Sequence, residues 1–262
     1  MTLATSTANI NAVPQQGHAV QAFGLIGWRW ISRNPAAAVA PILLPFIFLY
    51  FLSLISPPGL LPLEIIGAML FTTQNIGNWV LGDSATWRIQ LNLQEMFIAS
   101  PLGKVRYLFG VAFSNMIAAA PALAILMALL VYVRSSEGHP IPLFFWPLLV
   151  LAILFLWILF SAVGIAISSR VKSQREVWPV GNLSFTVLGM LSPLYYPLSY
   201  LPPWWQTLAH FLPATYAALL AQGALGITPQ SGTSLFVDAL LLVLLSLVGT
   251  AVALRLYKWR EA

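Results

Sequence analysis

The sequence predicts an all-α polytopic membrane protein: six transmembrane helices, an N-terminal interfacial helix, and re-entrant exterior helices between spans five and six. Of its 262 residues, 59% are hydrophobic and 7% charged, against roughly 25% charged in an average soluble domain. Its mean hydropathy of +0.84 is more than a soluble fold could hide without a sticky surface. Six spans of about 20 residues use roughly half the chain and leave short loops.

The same arithmetic excludes several function classes. Cysteine is absent, which removes disulfides, thiolate metal ligands and cysteine nucleophiles. His18, His139 and His210 are scattered without metal-ligand spacing. The net charge of +5 reflects basic loops on one side of a membrane and not nucleic-acid binding. Residues 1–20 hold no Lys or Arg and no apolar run, so they do not form a cleaved signal peptide.

Ser, Thr, Asn and Gln dominate residues 1–17, which read as a disordered cytoplasmic tail ahead of a single transmembrane domain over 18–258. A short helix is expected over 18–34, with Phe23, Ile26 and Trp30 at helical spacing and Arg29 and Arg33 on its flank. Trp28 and Trp30 beside arginines suit an interfacial helix, or simply a basic anchor before the first span. Span one covers 36–56 and contains Pro41 and Pro45, tolerated where neighbouring helices re-satisfy the backbone. Span two covers 63–82, and a polar stretch, 83–105, follows. Spans three and four cover 107–133 and 143–168, and span five covers 180–191. Pro193, Pro197, Pro202, Pro203 and Pro213 then cut 192–226 into pieces too short to cross a bilayer. Pro202-Pro203 is placed to start a short helix through Trp204, Leu208 and Phe211, and Pro213 another ending near Gly223 or Gly226. The last span covers 235–254.

Orientation follows from the basic residues. With the N-terminus inside, cytoplasmic segments hold 11 of the 12 Lys and Arg residues, leaving Arg134 outside. Both termini are then cytoplasmic and the segment 192–226 faces the exterior.

Ion-coupled carriers need ionisable groups deep in the bilayer, yet Glu64, Asp83 and Asp238 fall near predicted span ends. Metalloprotease and nucleophile-elbow motifs are missing, and no phosphate-binding loop occurs: Gly103-Lys104 is followed by Val105. The chain therefore reads as a non-enzyme with no cofactor or metal of its own. Thr72, Thr73, Gln74, Asn75 and Asn78 cluster in span two, and Asn182, Ser184 and Thr186 lie in span five, with Thr72, Asn75, Asn78, Asn182, Ser184 and Thr186 the pathway candidates. They suit either interhelical hydrogen bonds or a weakly polar pathway for an amphipathic substrate. In the stretch after span two, Ile89, Leu93, Met96 and Phe97 share an apolar helical face, with Gln94 and Glu95 away from it, up to a stop at Ser100-Pro101. Such a helix docks in a partner's groove or lies flat in the headgroups.

Two motifs and the element order resemble the permease subunits of type-2 ATP-binding-cassette (ABC) exporters. Leu93-Gln94-Glu95-Met96-Phe97-Ile98-Ala99-Ser100-Pro101 is similar to the family's cytoplasmic pattern ending L-E-x-L-L-x-S-P. The run from Tyr196 to Gln206, followed by Phe211-Leu212-Pro213-Ala214-Thr215-Tyr216, is similar to P-x-S-x-x-P-x-W-x-Q and N-P-x-T-Y. The resemblance implies a coupling helix over about 86–101 seated on a separate ABC ATPase subunit, present in two copies, which would hold ATP and magnesium. Ile89, Leu93, Glu95, Met96, Phe97, Ser100 and Pro101 would make that contact, with Arg170 and Arg175 in a second, smaller one. A second permease copy, identical or homologous, would complete the pathway in the lipid bilayer of a prokaryotic inner membrane. Tyr195, Tyr196 and Trp204 would stand near an exterior gate. The expected cargo is a drug or lipid-like amphiphile, with a lipid-linked polysaccharide as the alternative; a non-transporting scaffold is the reading from another class.

Overall fold

The computed structural model describes residues 18–57, 59–99, 103–228 and 231–259. The tail over 1–17, the motif residues Ser100 and Pro101, and Arg260 lie outside the described residues. Among the described residues there are ten α-helices and no strand. They are α1 (His18–Arg33), α2 (Pro35–Ile55), α3 (Leu61–Ile89), α4 (Leu93–Ala99), α5 (Lys104–Ser136), α6 (Phe145–Ser168), α7 (Gln174–Leu191), α8 (Pro203–Ala209), α9 (Pro213–Ala224) and α10 (Gly232–Leu256).

Proline opens α2, α8 and α9 and sits in the first turn of α3, where its missing N–H costs no hydrogen bond and its fixed φ already suits a helix. Three helices, α5, α6 and α10, are long and apolar enough to cross a membrane by length and composition. The apolar run Leu43–Ile55 of α2 is shorter. At 29 residues α3 has the length, but Thr72, Thr73, Gln74, Asn75 and Asn78 dilute its hydropathy.

The bundle is built around α3, which is buried on almost every side from Pro62 to Ala85. It packs on α5, α6, α7 and α9. Lipid tails are as apolar as leucine, so such helices associate through close packing and hydrogen bonds and not through water exclusion. Thr72 and Thr73 turn their hydroxyls back to the carbonyls of Ala68 and Met69, at 2.7 and 2.8 Å, so they need no partner across the bundle. α3 and α6 cross at Gly77 and Gly164, where a side chain on Gly164 would run into the Gly77 carbonyl. The outer faces of α7 and α10 are apolar and open, through Leu183, Val187 and Met190 on the first and Phe236, Leu244 and Val248 on the second. A surface of that kind belongs in a bilayer or against another protein.

The polar stretch expected over 83–105 is different in the structure. α3 runs on to Ile89 before a turn and α4, because its last turns have partners that a solvated loop would lack. Arg88 donates to the Ser168 and Val171 carbonyls, and Gln174 donates to the Thr86 hydroxyl at 2.9 Å. The fifth apolar run likewise begins earlier, in a helix that starts at Gln174 and passes through Pro179. These bonds gather the finishes of α3 and α6 and the start of α7 at one end of the bundle, where Lys104 bonding to the Leu254 carbonyl and Tyr107 beside Trp87 add the start of α5 and the finish of α10; this end also carries Arg88, Lys104, Arg106, Arg170, Lys172, Arg175 and Arg255. We call this the basic end. Arg134 lies at the far end, 3.9 Å from Glu137.

Candidate functional site

At the basic end the chain leaves α3 through Asn92, whose φ of 51° is left-handed, a conformation asparagine adopts more readily than most residues. α4 then has only seven residues, enough for one anchored face. Residues spaced three and four apart share that face: Gln94 is buried, and Leu93 and Phe97 are half-buried. The Phe97 ring stands 5.1 Å from Tyr107 and 5.8 Å from Phe23. Trp87 completes the cluster, 6.2 Å from Phe97. Gln94 Nε2 donates to the Trp259 carbonyl at 3.2 Å.

The face expected from spacing is therefore rotated. Ile89 belongs to the last turn of α3, Gln94 turns inward, and Met96 points out, 65% exposed. Seating the large Phe97 ring among aromatics fixes the rotation, and Met96 lies about 100° further round the helix. Glu95 is exposed beside Met96. Arg170 and Arg175 are exposed in and after the α6–α7 turn, which the Arg88 bonds hold against α3.

A strap after α10 was not legible as part of this site. Lys104 Nζ donates to the Leu254 and Tyr257 carbonyls, at 2.7 and 3.3 Å, and lies 5.2 Å from the centre of the Tyr257 ring. Trp259 packs 5.3 Å from Tyr107. Burial pushes the Tyr257 phenol above its ordinary range, opposed by the Arg88 guanidinium, so it stays protonated. In the sequence, Tyr257-Lys258-Trp259 looks like an ordinary basic end to a span. Only the tertiary contacts reveal that it supports α4.

The polar residues of α3 and α7 divide between two roles. Thr72 bonds within its own helix. Asn78 Nδ2 donates to Asn182 Oδ1 at 2.8 Å, and Gln74 Nε2 donates to the Phe185 carbonyl at 2.9 Å, so these groups tie α3 to α7. Asn182 is nevertheless exposed, and Asn75, Ser184 and Thr186 are half-buried along the same helix pair. Replacing Asn182 with Val is expected to cost about 0.6 kcal/mol, a typical interhelical hydrogen bond in a membrane, and to lower the thermal midpoint of the detergent-solubilised protein by about 1–3 °C. Nanoscale fluorimetry checks this.

The exterior-gate candidates are not brought together. Tyr195 is half-buried between α2 and α3, with its ring 4.7 Å from Phe48 and 6.1 Å from Phe71. Burial raises its phenol above the ordinary value, so it too is neutral. Tyr196 reaches the Met190 carbonyl at 3.5 Å. Trp204 faces out, 61% exposed, edge-on to Trp205 at 5.0 Å. α9 is buried along most of its length against α6 and α10. At 12 residues it extends about 18 Å, too short for a bilayer core of about 30 Å. Thr215 Oγ1 donates to Ala209 O at 2.6 Å and Tyr216 to the His210 carbonyl at 2.9 Å. The Thr-Tyr pair of the motif thus closes the α8–α9 corner.

A family model described as ABC-2 type transporter matches residues 19–225. No curated protein matches the chain.

Proposed function

The chain belongs to the ABC-2 type transporter family, a membrane component that works with a separate ATP-binding-cassette ATPase, and from that premise we propose that it is the permease of an ABC exporter moving an amphipathic drug or lipid-like molecule out of the cytoplasm. In this reading the chain crosses a prokaryotic inner membrane six times, with α2, α3, α5, α6, α7 and α10 as the spans, and the basic end is cytoplasmic. That assignment puts 11 of 12 basic residues where the positive-inside rule expects them.

The observation that carries the proposal is the build of α4. Its inner face is fixed by Phe97, Leu93 and Gln94, and its outer edge presents Glu95 and Met96 with no covering element among the described residues. A short helix, rigid on one side and open on the other, suits docking into a partner's groove. Arg170 and Arg175 offer a second contact on the same end. Two permease copies would meet along the open face of α7 and the half-buried Asn75 edge of α3 beside it, where Asn75, Asn182, Ser184 and Thr186 supply mild polarity, and two ATPase subunits would supply ATP and magnesium. The aromatic corner with exposed Tyr200, Trp204 and Phe211 supports lipid-linked polysaccharide as a second cargo class, since sugars stack on aromatic faces.

Affinity purification of the tagged chain from its native operon, with an ATPase assay, tests this. An ABC ATPase is expected to co-purify and to be lost on Glu95→Arg or Phe97→Asp. An intact, monodisperse chain that never brings an ATPase with it would overturn the proposal in favour of a scaffold.

A further inference from the structure

Between α1, α3, α5 and α7 lies a cavity of about 420 Å³, within the ~300–1,000 Å³ range of small-molecule pockets. Its walls are unusual for a bundle of packed leucines and alanines. Trp30 comes from α1, Trp79 and Trp87 from α3, and Trp178 from α7, and one carboxylate, Asp83, joins them. Four of the chain's ten tryptophans therefore converge on one acidic group.

Each wall is held in place. α1 can approach α5 because Gly27 leaves room for the Ser114 carbonyl. Trp178 lies over Gly82, one residue before Asp83, with its ring 3.2 Å from where a β-carbon would stand. The Trp87 ring stacks on Phe23 at 6.1 Å. Asn115 Nδ2 donates to Asp83 Oδ2 at 2.8 Å and to the Val111 carbonyl at 3.1 Å. These two acceptors fix the amide's orientation, so one oxygen of the Asp83 carboxyl group accepts a hydrogen bond and the other is left for a ligand. Among the described residues no basic side chain forms an ion pair with Asp83, although its side chain is open to the cavity. It stands six residues before the end of α3, about 9 Å along the helix.

A carboxylate at that depth is costly without a counter-charge. An indole face attracts cations through its ring quadrupole, most strongly where water is scarce. Together they select one ligand chemistry. We propose that this cavity binds an organic ammonium ion carrying an apolar tail, with the charged head against Asp83 and the indoles and the tail leaving past the half-exposed Trp30 and Trp178. The head belongs either to a free amphiphilic amine or to an aminophospholipid. Occupancy does not depend on the transport proposal, because binding is a property of this chain alone.

The test is isothermal titration calorimetry on the full chain in dodecyl maltoside, using octyltrimethylammonium, octanesulfonate and octanol as cationic, anionic and neutral probes of matched tail. Only the cation is expected to bind saturably. Asp83→Asn should weaken it by about tenfold or more, and Trp178→Leu by about two- to thirtyfold. Trp178 is half-exposed, so its variant keeps the test decisive if Asp83→Asn does not fold. Phosphatidylethanolamine, with phosphatidylglycerol as control, then separates the sources. Competition by the amine lipid alone identifies its headgroup as an occupant, and cation binding without competition identifies a free amine. Equal heats from all three probes, or cation binding unchanged in both variants, would overturn the proposal.

Discussion

Gly164→Leu is expected to abolish recovery of a monodisperse protein. At the α3–α6 crossing a side chain on Gly164 has the Gly77 carbonyl in its path, and one on Gly77 would meet the Phe160 carbonyl and the Phe185 ring. Backbone on both sides cannot give way as a flexible side chain can. The two helices would have to separate, and their mutual packing holds α3 at the centre of the core, with Ile65, Met69, Leu156 and Phe160 in one cluster. Overpacking in a tight core costs about 1–3 kcal/mol and occasionally more; a four-carbon side chain facing backbone falls at or above the top of that range. Gly232→Ala serves as the control, because nothing lies within 4 Å of the added carbon. Size-exclusion profiles should show aggregated or absent protein for Gly164→Leu and a normal peak for Gly232→Ala. A normal peak and an unchanged thermal midpoint for both would mean the crossing is not as close as described.

Arg88→Met is the second large effect. The guanidinium donates to the Ser168 carbonyl at 2.8 Å and also to the Val171 carbonyl, bridging the end of α3 to the turn after α6. A hydrogen bond to a charged group contributes about 1.5–3 kcal/mol, and an orphaned buried carbonyl adds a further penalty. The thermal midpoint should therefore fall by roughly 5–10 °C. The consequence for function goes further, because the turn released is the one that presents Arg170 and Arg175. If that turn is the second ATPase contact, Arg88→Met should lower coupled ATPase activity more than Asn182→Val does. Arg88→Lys should restore part of the loss, since both bonds leave the single nitrogen Nη2 and an ammonium also carries several donors on one nitrogen, though on a shorter stem. Measuring midpoint and ATPase activity on the same preparations checks both parts.

How far the sequence discloses this architecture differs from element to element. α1 is readable because Phe23, Ile26 and Trp30 recur at helical spacing with Arg29 and Arg33 on the flank, and the structure gives His18–Arg33. Its packing face is not. Spacing favours Phe23, Ile26 and Trp30; Phe23 is buried, yet Ile26 and Trp30 are exposed, and Gly24 and Gly27 complete the face against α5. A glycine contact between helices leaves no hydrophobic periodicity to detect. Long apolar runs such as those inside α5, α6 and α10 declare themselves by composition. The last turns of α3 do not, since Asp83, Ser84, Thr86 and Arg88 look like loop until Ser168, Val171, Asn115 and Gln174 are known to stand beside them.

The candidate site shows the same division. The motif marks the α4 segment, because a Leu-Gln-Glu-Met-Phe run before Ser-Pro is a local pattern, but the helix expected over about 86–101 begins only at Leu93, the residues before it finishing α3 and its turn. Its rotation is hidden, since it depends on how Trp87 and Tyr107 on the two flanking helices fold back over Phe97, and on Phe23, distant in sequence. The Trp259 strap and the tryptophan cavity were likewise invisible, because each assembles residues from three or more helices and no spacing rule connects them. Tyr195 and Trp204, grouped by nearness in the chain, face different surroundings because Pro197, Pro202 and Pro203 turn the backbone between them.

In the proposed function, α4 and the α6–α7 turn form the surface through which an ABC ATPase drives this permease. Site-specific photocrosslinking reads that surface directly. A benzoylphenylalanine is placed at Met96, at Arg175, or at Tyr132, which is 71% exposed near the far end of α5. After irradiation in native membranes, crosslinked partners are identified by mass spectrometry. The account predicts an ABC ATPase crosslinked from positions 96 and 175 and none from position 132. Crosslinks to such a subunit from position 132 alone, or from none of the three in membranes that contain it, would contradict the account.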